Sequence, residues 1–204
     1  MPYTPGRRVL VLTHTGREDA ISAALQATRM FAEEGLVSVM LEQDVAAIRA
    51  AAGDPPEFAP EALGVDCELE DITLGLVLGG DGSVLRAADF VRGHNVPLLA
   101  VNLGHVGFLA ESERTDLHRT VQAIASESYV VIERMALDVV VLVEGREVAR
   151  TWALNEASVE KSHRERMLEV VVSVDNSPLT AFGCDGVVPV SYTHLRAHET
   201  SLHL

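Results

Sequence analysis

The sequence predicts an α/β fold followed by a smaller β-rich half, and three observations carry that expectation. Strand-like and helix-like stretches alternate over residues 1–127, the order of a mostly parallel sheet with helices on its faces. The run Ile72 to Leu78 is apolar throughout, as a strand buried on both faces requires. Beyond residue 128 the pattern changes to short strand-like runs separated by turn residues, which favours antiparallel pairing. The expected domains are therefore 1–127, 128–188 and a compositionally distinct tail, 189–204.

Each element has its own signal. Val9 to Leu12 is a short aliphatic run that stops at Thr13-His14-Thr15-Gly16, a strand and then a turn. Ile21, Ala24, Leu25, Thr28 and Phe31 recur at helical spacing over residues 18–34, and Gly35 follows as a C-cap. Leu36 to Leu41 is a second strand, and residues 43–52 form an Ala-rich helix that ends before Gly53-Asp54-Pro55-Pro56. Glu42 to Asp71 holds nine acidic residues and one basic one, with three prolines. Like charges resist compaction, so this stretch reads as a mobile surface loop, either simply solvated or a lid near a ligand. After the strand Ile72 to Leu78, residues 84–92 are helical, Pro97 to Val101 is a strand, and residues 113–127 are an amphipathic helix with Leu117, Val121 and Ile124 on one face. Tyr129 to Ile132, Leu137 to Val143, Val148 to Leu154, Met167 to Val174 and Leu179 to Phe182 read as strands, and another begins at Val187. Glu144-Gly145-Arg146-Glu147 and Asp175-Asn176-Ser177-Pro178 form turns.

The 204 residues are 48% hydrophobic and 23% charged, which suits a globular chain with a real core. A net charge of −14 argues against a nucleic-acid or anionic-membrane surface, because those partners reward clustered Lys and Arg. A single phosphate site needs only local donors and stays open. Cys67 and Cys184 form no CxxC pair and read as free thiols in a reducing compartment. No apolar run approaches the ~18 residues of a membrane span, and the run after Arg7-Arg8 is too short for a signal peptide. A cytoplasmic location is expected. His194, His198 and His203 are not at i, i+4 spacing throughout, and no carboxylate stands beside them in a recognised pattern, so no metal-ligating set is assigned.

The sharpest chemical signal is Gly79-Gly80-Asp81-Gly82-Ser83, where a buried strand ends and a helix opens. Glycines permit positive φ and let bare backbone approach a phosphate. The helix start offers N–H groups and a positive dipole end. Asp81 beside such a turn can deprotonate or orient a hydroxyl, or help hold Mg²⁺; the plainer alternative is an N-cap. Neither GxxxxGK[ST] nor GxGxxG nor GxSxG occurs. The next strand also ends in a Gly-rich turn, Asn102-Leu103-Gly104 with Gly107-Phe108-Leu109, so both turns should face one crevice. Phe108 is either a wall for a flat base or a core aromatic. Asn155-Glu156 follows an apolar strand and can grip vicinal ribose hydroxyls, and Asp185-Gly186 stands at another strand mouth.

Taken in order, GGDGS, VNLGHVGFLAE, ALNE and AFGCDGVV resemble the NAD kinase family over roughly residues 7–188, closest to its actinobacterial form. The resemblance implies a Rossmann-like parallel-sheet domain followed by an all-β domain, incomplete here. It implies transfer of the γ-phosphoryl of ATP, or of polyphosphate, to the 2′-hydroxyl of the NAD adenosine ribose. Asp81 would be the general base, and Gly79, Gly80 and Gly82 would shape the phosphate-facing turn. Leu85 and Phe108 would wall the adenine pocket, with Arg86 near phosphate and Asn102 in the same crevice. Asn155 and Glu156 would hold ribose or nearby polar groups, Asp185 would touch the same ligand, and Arg166 is a weaker match. Aspartate is a weak base at neutral pH, so Mg²⁺ and positioning are expected to assist it. NAD and ATP are the expected partners, with a homo-oligomer in the family's full-length form.

The end of the sequence departs from that family. Where its members continue into a Thr-Pro-Thr-Gly-Ser-Thr-Ala-Tyr-like loop that contacts NAD, this chain has Pro189-Val190-Ser191-Tyr192-Thr193-His194. Residues 189–204 are expected to be a non-native translated segment, and the 204-residue chain is expected to be weak or inactive. Two alternatives stand beside this reading. One is another GGDG kinase acting on a sugar or lipid, although a phosphofructokinase needs a second Gly-rich turn where Thr13-His14-Thr15-Gly16-Arg17 stands. The other is a nucleotide-binding module without turnover.

Overall fold

A computed structural model describes residues 6–14, 16–52, 59–103, 112–113, 116–162 and 167–191. The chain divides into two compact units, with the break between Val131 and Ile132.

The first unit is built on β1 (Arg8–Thr13), β2 (Val37–Leu41), β3 (Glu61–Leu63), β4 (Ile72–Leu78), β5 (Leu98–Asn102) and β6 (Ser112–Glu113). Its helices are α1 (Glu18–Glu33), α2 (Glu42–Ala52), α3 (Asp81–Phe90) and α4 (Leu117–Ala125). The strands form one sheet in the order β3-β2-β1-β4-β5-β6, and every pairing is parallel. This is the strand order of a doubly wound nucleotide-binding sheet. Val9 and Val11 of β1, with Leu74, Leu76 and Leu78 of β4, share one core with α1, α2 and α4. Successive side chains of a strand point to opposite faces, so Leu10 and Val77 are buried on the other face, where α3 packs over β1, β4 and β5. Helix α1 lies close on the sheet because its buried stripe is mostly small: Ala20, Ala23, Ala24 and Ala27, with Phe31 filling the far end. Gly75 serves the sheet itself, since a Cβ there would stand 2.6 Å from Leu98 Cδ2 on β5.

Arg7 fastens the start of β1 to the end of α4. Its guanidinium donates to the carbonyls of Ile124 and Ala125 and to Glu127 Oε1 (2.6 Å). A cation on the last carbonyls of a helix satisfies orphan acceptors and complements the dipole. Arg8 reaches past β2 to Glu61 on β3 (Nε to Oε2 2.7 Å).

Most expected elements stand within a residue or two of their predicted bounds, and Gly35 terminates α1 with φ +73°. Three expectations need correction. The acidic stretch does not end as a loop: residues 61–63 form β3, and Cys67 beyond it is buried. Its carboxylates are absorbed locally, since Asp66 accepts from Ala62 N (2.7 Å), and Asp71 accepts from Glu68 N (3.0 Å) in a capping box around the 3-10 turn Leu69–Asp71. Tyr129 to Ile132 is not a strand; it pairs with no described strand, and Val130 is 86% exposed. Glu113, expected to open a helix over 113–127, lies instead in the two-residue strand β6, which had no periodic signal, and that helix runs Leu117–Ala125.

The second unit holds the hairpins β7 (Leu137–Val143) with β8 (Arg146–Ala153) and β10 (Leu168–Val174) with β11 (Ser177–Cys184). Both turn on two residues with positive φ, Glu144-Gly145 (50°, 77°) and Asp175-Asn176 (50°, 64°), the geometry whose twist suits a tight hairpin. These turns are two residues shorter than the four-residue turns expected. A short pair, β9 (Val159–Glu160) with β12 (Gly186–Val187), joins them, and β9 was not anticipated. Pro189 O accepts from Ala157 N (2.9 Å), Ser191 N donates to Asn155 O (2.7 Å), and the Ser191 side chain is buried. These first residues of the expected tail thus pack on 154–157, while residues 192–204 lie outside the described set.

Phe31→Ala empties a fully buried site under α1 and should cost about 3–5 kcal/mol in urea unfolding. An unchanged midpoint would show that α1 does not pack as described. On the β7–β8 hairpin, Asp138 accepts from Arg150 Nε (3.0 Å) and Nη2 (2.6 Å), and this hydrogen bonding holds its carboxyl below the usual carboxylate range. The folded value lies below the unfolded one, so the contribution is present above the unfolded carboxylate range and disappears as pH falls through the folded value. NMR shifts of the hairpin amides should therefore move at acid pH in the native chain, and Asp138→Asn should remove that transition.

Candidate functional site

Parallel strands present their carboxyl ends on one edge, and the crossover direction reverses between β1 and β4, which is where doubly wound sheets bind ligands. A crevice of about 310 Å³ lies at that point. Gly79, Gly80, Gly82 and Ser83 from the β4–α3 turn form one side, Asn102 and Leu103 from the end of β5 another, and His14 and Arg17 after β1 a third; Arg86 reaches in from α3. The two consecutive turns thus share one crevice as far as Leu103. Residues 104–111, including Phe108, lie outside the described residues, and so does Arg166.

The glycines serve space, not conformation. None of Gly79, Gly80 and Gly82 has positive φ, so that part of the sequence expectation is corrected; Gly80 is extended at φ −90°, ψ −171°. A Cβ on Gly79 would stand 2.4 Å from Ser83 Oγ, so the turn closes only without one. A Cβ on Gly80 or Gly82 would meet nothing within 4 Å, and both residues line the crevice, so their backbone faces open room. Gly80 is the N-cap of α3 and has no side chain to satisfy the first-turn N–H groups. A phosphate can take the place that a capping side chain holds elsewhere.

Asp81 is therefore not the cap; it is the first residue of the helix. It is half-buried, has an interaction of its own, and stands between two lining glycines without itself lining the crevice. Leu85, 40% exposed, is also outside it. The crevice carries positive charge. Arg17 is tied to Asp19 (Nη2 to Oδ2 2.7 Å), and that hydrogen bond holds the Asp19 carboxyl below its usual range. Arg86 makes no hydrogen bond or ion pair with any described residue, which leaves its guanidinium available to an anion. His14 Nδ1 accepts from Gly16 N (3.2 Å), which leaves Nε2 as the donor in the neutral ring. His14, Arg17 and Ser83 were not singled out from sequence. The available signal was the polar turn after the first strand, because the rule that placed the second and third turns at the crevice places the first there too.

The second unit gathers its own polar residues along β9 and β12. Asn155, half-buried, has its carbonyl bound by Ser191 N, and Glu156 bridges to Val190. Asp185 pairs with Lys161 Nζ. The ladder places Asp185 opposite Lys161 and Glu156 opposite Val190, so they stand at opposite ends of one short antiparallel run. Among the described residues, no three His, Cys, Asp or Glu side chains converge to hold a metal. No described helix is long and apolar enough to cross a membrane.

The three glycines separate under substitution. Gly79→Ala should destabilise the fold, because Ser83 must move. Gly82→Ala should leave it intact or stabilise it by up to about 1 kcal/mol through helix propensity, while weakening phosphate binding. Thermal melts beside phosphate titrations would read both, and equal effects at 79 and 82 would contradict the geometry.

Comparison with known proteins gives this crevice a family. The model of the ATP-NAD kinase N-terminal domain matches residues 9–129, which takes in the sheet from the second residue of β1 onward and its three polar turns. The chain is 47% identical over 196 residues to an NAD kinase of Leifsonia xyli subsp. xyli, covering 96% of this chain and 64% of the relative. It is 46% identical over 204 residues to the NAD kinase of Thermobifida fusca (97% and 62%) and 39% identical over 209 residues to that of Mycobacterium tuberculosis (97% and 66%). The chain thus spans just under two thirds of the length of these relatives. In fold it matches the crystal structure of yeast NADH kinase complexed with NADH, at a TM-score of 0.79 and 19% identity, over 98% of this chain and 62% of that one. A family model over more than half of the residues, together with relatives this similar along nearly the whole chain, shows that the chain belongs to the NAD kinase family.

Proposed function

We propose that this chain carries the phosphoryl-transfer machinery of an NAD kinase, which moves the γ-phosphoryl of ATP to the 2′-hydroxyl of the NAD adenosine ribose. The observation that carries the reading is the bare backbone of Gly80 and Gly82 beside Arg86, which has no partner among the described residues, at the point where the sheet reverses direction. That arrangement supplies N–H groups and a cation to a phosphoryl group, the donors on which such transfer depends.

In the step itself a bond forms between the ribose 2′ oxygen and the γ phosphorus. The bond from that phosphorus to the β–γ bridging oxygen breaks, and ADP leaves. The hydroxyl proton passes to the Asp81 carboxylate. Asp81 is held by its place at the head of α3, between the two glycines. Asn155 and Glu156 serve as ribose-binding groups, and Asp185 as a further contact to NAD.

No all-protein cage for a divalent ion exists among the described residues. The donor set fits Mg²⁺ only in the manner usual for that ion, with most ligands from the phosphates and water and at most one or two carboxylates. Asp81 would be the carboxylate to assist, and the ion, when bound, would neutralise charge at the transferring group. The reading goes with a cytoplasmic location and a homo-oligomer in the full-length family form; the net charge of −14 supports the absence of a nucleic-acid or anionic-membrane partner.

The test is transfer from γ-labelled ATP to NAD by this chain and by the full reading frame at its locus. Each is compared with its Asp81→Asn variant. The expected result is 2′-labelled NADP from the full frame, and a rate lower by about 10²–10⁴ in the variant with NAD binding retained. Full activity in Asp81→Asn would remove the base assignment. Label on a sugar or lipid, or NAD bound without transfer, would favour one of the other two readings.

A further inference from the structure

The turn after β1 is built around one side chain. The His14 carbonyl accepts from Arg17 N (3.1 Å), and the ring nitrogen Nδ1 accepts from Gly16 N (3.2 Å). Gly16 lies against the ring, where a Cβ would stand 2.8 Å from His14 Cε1 and 3.1 Å from Nδ1. Its φ is not positive, so this glycine serves the space that the imidazole takes. The ring itself is exposed. It lines the crevice with Gly79, Gly80 and Gly82, and with Ser83 and Arg86 it also borders a neighbouring opening, so it stands between two open spaces instead of packing into a wall.

The tautomer decides what the ring can do. A neutral imidazole carries one N–H, and with Nδ1 accepting from Gly16 that proton sits on Nε2. Nε2 is then a donor. It cannot take the proton of a ribose hydroxyl or ligate a metal; it suits an oxygen with lone pairs to offer. No described residue supplies one to it. Arg17, the other donor-bearing side chain of this turn, has Nε and Nη2 committed to Asp19 (3.1 and 2.7 Å). His14 is therefore the group of this turn left to meet a ligand, and it does so beside Arg86 and the bare backbone of Gly80 and Gly82. We infer that His14 is a phosphate-binding residue, whose Nε2–H donates to an oxygen of the donor's phosphate chain and, with Arg86, fixes that chain in the crevice. The inference rests on the kinase reading above and deepens it by adding a substrate contact from the turn after β1. The phosphates of NAD share this chemistry, and the substrate that loses affinity tells the two apart.

Two substitutions divide the ring's atoms between them. The amide oxygen of Asn can replace Nδ1 as the acceptor for Gly16, while the longer amide of Gln places an N–H near the position of Nε2. His14→Asn should keep the turn and weaken binding of labelled inorganic tripolyphosphate to the 204-residue chain by about tenfold, the worth of one hydrogen bond to a charged group. His14→Gln should stay within about threefold of the native affinity. A merely structural role gives the reverse order. Gly16→Ala should act like His14→Asn with little change in thermal midpoint, because the methyl displaces the ring without removing it. In the native chain, the long-range proton–nitrogen NMR spectrum of the neutral ring should show Nδ1 unprotonated, with Nε2–H shifting when tripolyphosphate is added. In the full reading frame, His14→Asn should raise the KM for ATP by a similar factor and leave that for NAD unchanged. The inference is overturned if tripolyphosphate does not bind, if both variants bind it as the native chain does, if their order is reversed, if the proton sits on Nδ1, or if only the KM for NAD changes. The kinase reading fails separately: a full frame that makes no NADP, while His14→Asn still weakens tripolyphosphate, would lose that reading and keep the phosphate contact.

Discussion

The pairing of β1 with β4 is the constraint on which the first unit depends. Residues Val9 to Thr13 run parallel to Leu74 to Leu78, although more than sixty residues separate them in sequence. Because β2 lies on one side of that pair and β5 on the other, connections leave it in opposite directions. Right-handed crossovers then put α1 and α3 on opposite faces of the sheet. A gap has to remain where the two helices part, and the turns after β1 and β4 border it. The crevice therefore follows from strand order before any functional side chain is considered.

Chemistry enters through the choice of small residues at that gap. Gly79 closes the turn against Ser83, while Gly80 and Gly82 leave backbone facing the open space. An overall charge of −14 does not make the crevice negative. Several carboxylates are engaged locally: Asp19 by Arg17, Asp66 by a strand N–H, Asp71 by a capping box. Arg86 has no such partner among the described residues, so the site keeps a positive group in an acidic chain. Net charge governs long-range attraction, whereas a phosphate a few ångströms away responds to the nearest uncompensated groups.

Strands buried on both faces were legible because an unbroken apolar run such as Ile72 to Leu78 has few other uses, and the helices were legible from their spacing. The two-residue strands β6 and β9 were not, since a period cannot show in two residues. Strand β3 was hidden for a different reason. Its neighbourhood is acidic and proline-rich, and only the hydrogen bonds that Asp66 and Asp71 accept, with Arg8 meeting Glu61, make a short edge strand tolerable there. Tyr129 to Ile132 shows the converse, a β-prone composition with no described strand beside it.

What the amino-acid order determined by itself was local: which stretches alternate, which bury both faces, where the chain turns, and which turn carries glycines around a carboxylate. Tertiary structure alone decided that His14 and Arg17 belong with that turn, that Asp81 heads the helix instead of capping it, and that Leu85 does not line the crevice. The physical reason is that propensity and periodicity act over a few neighbouring residues. A binding crevice is made by strand ends far apart in the chain, and only the register between β1, β4 and β5 brings them to one edge.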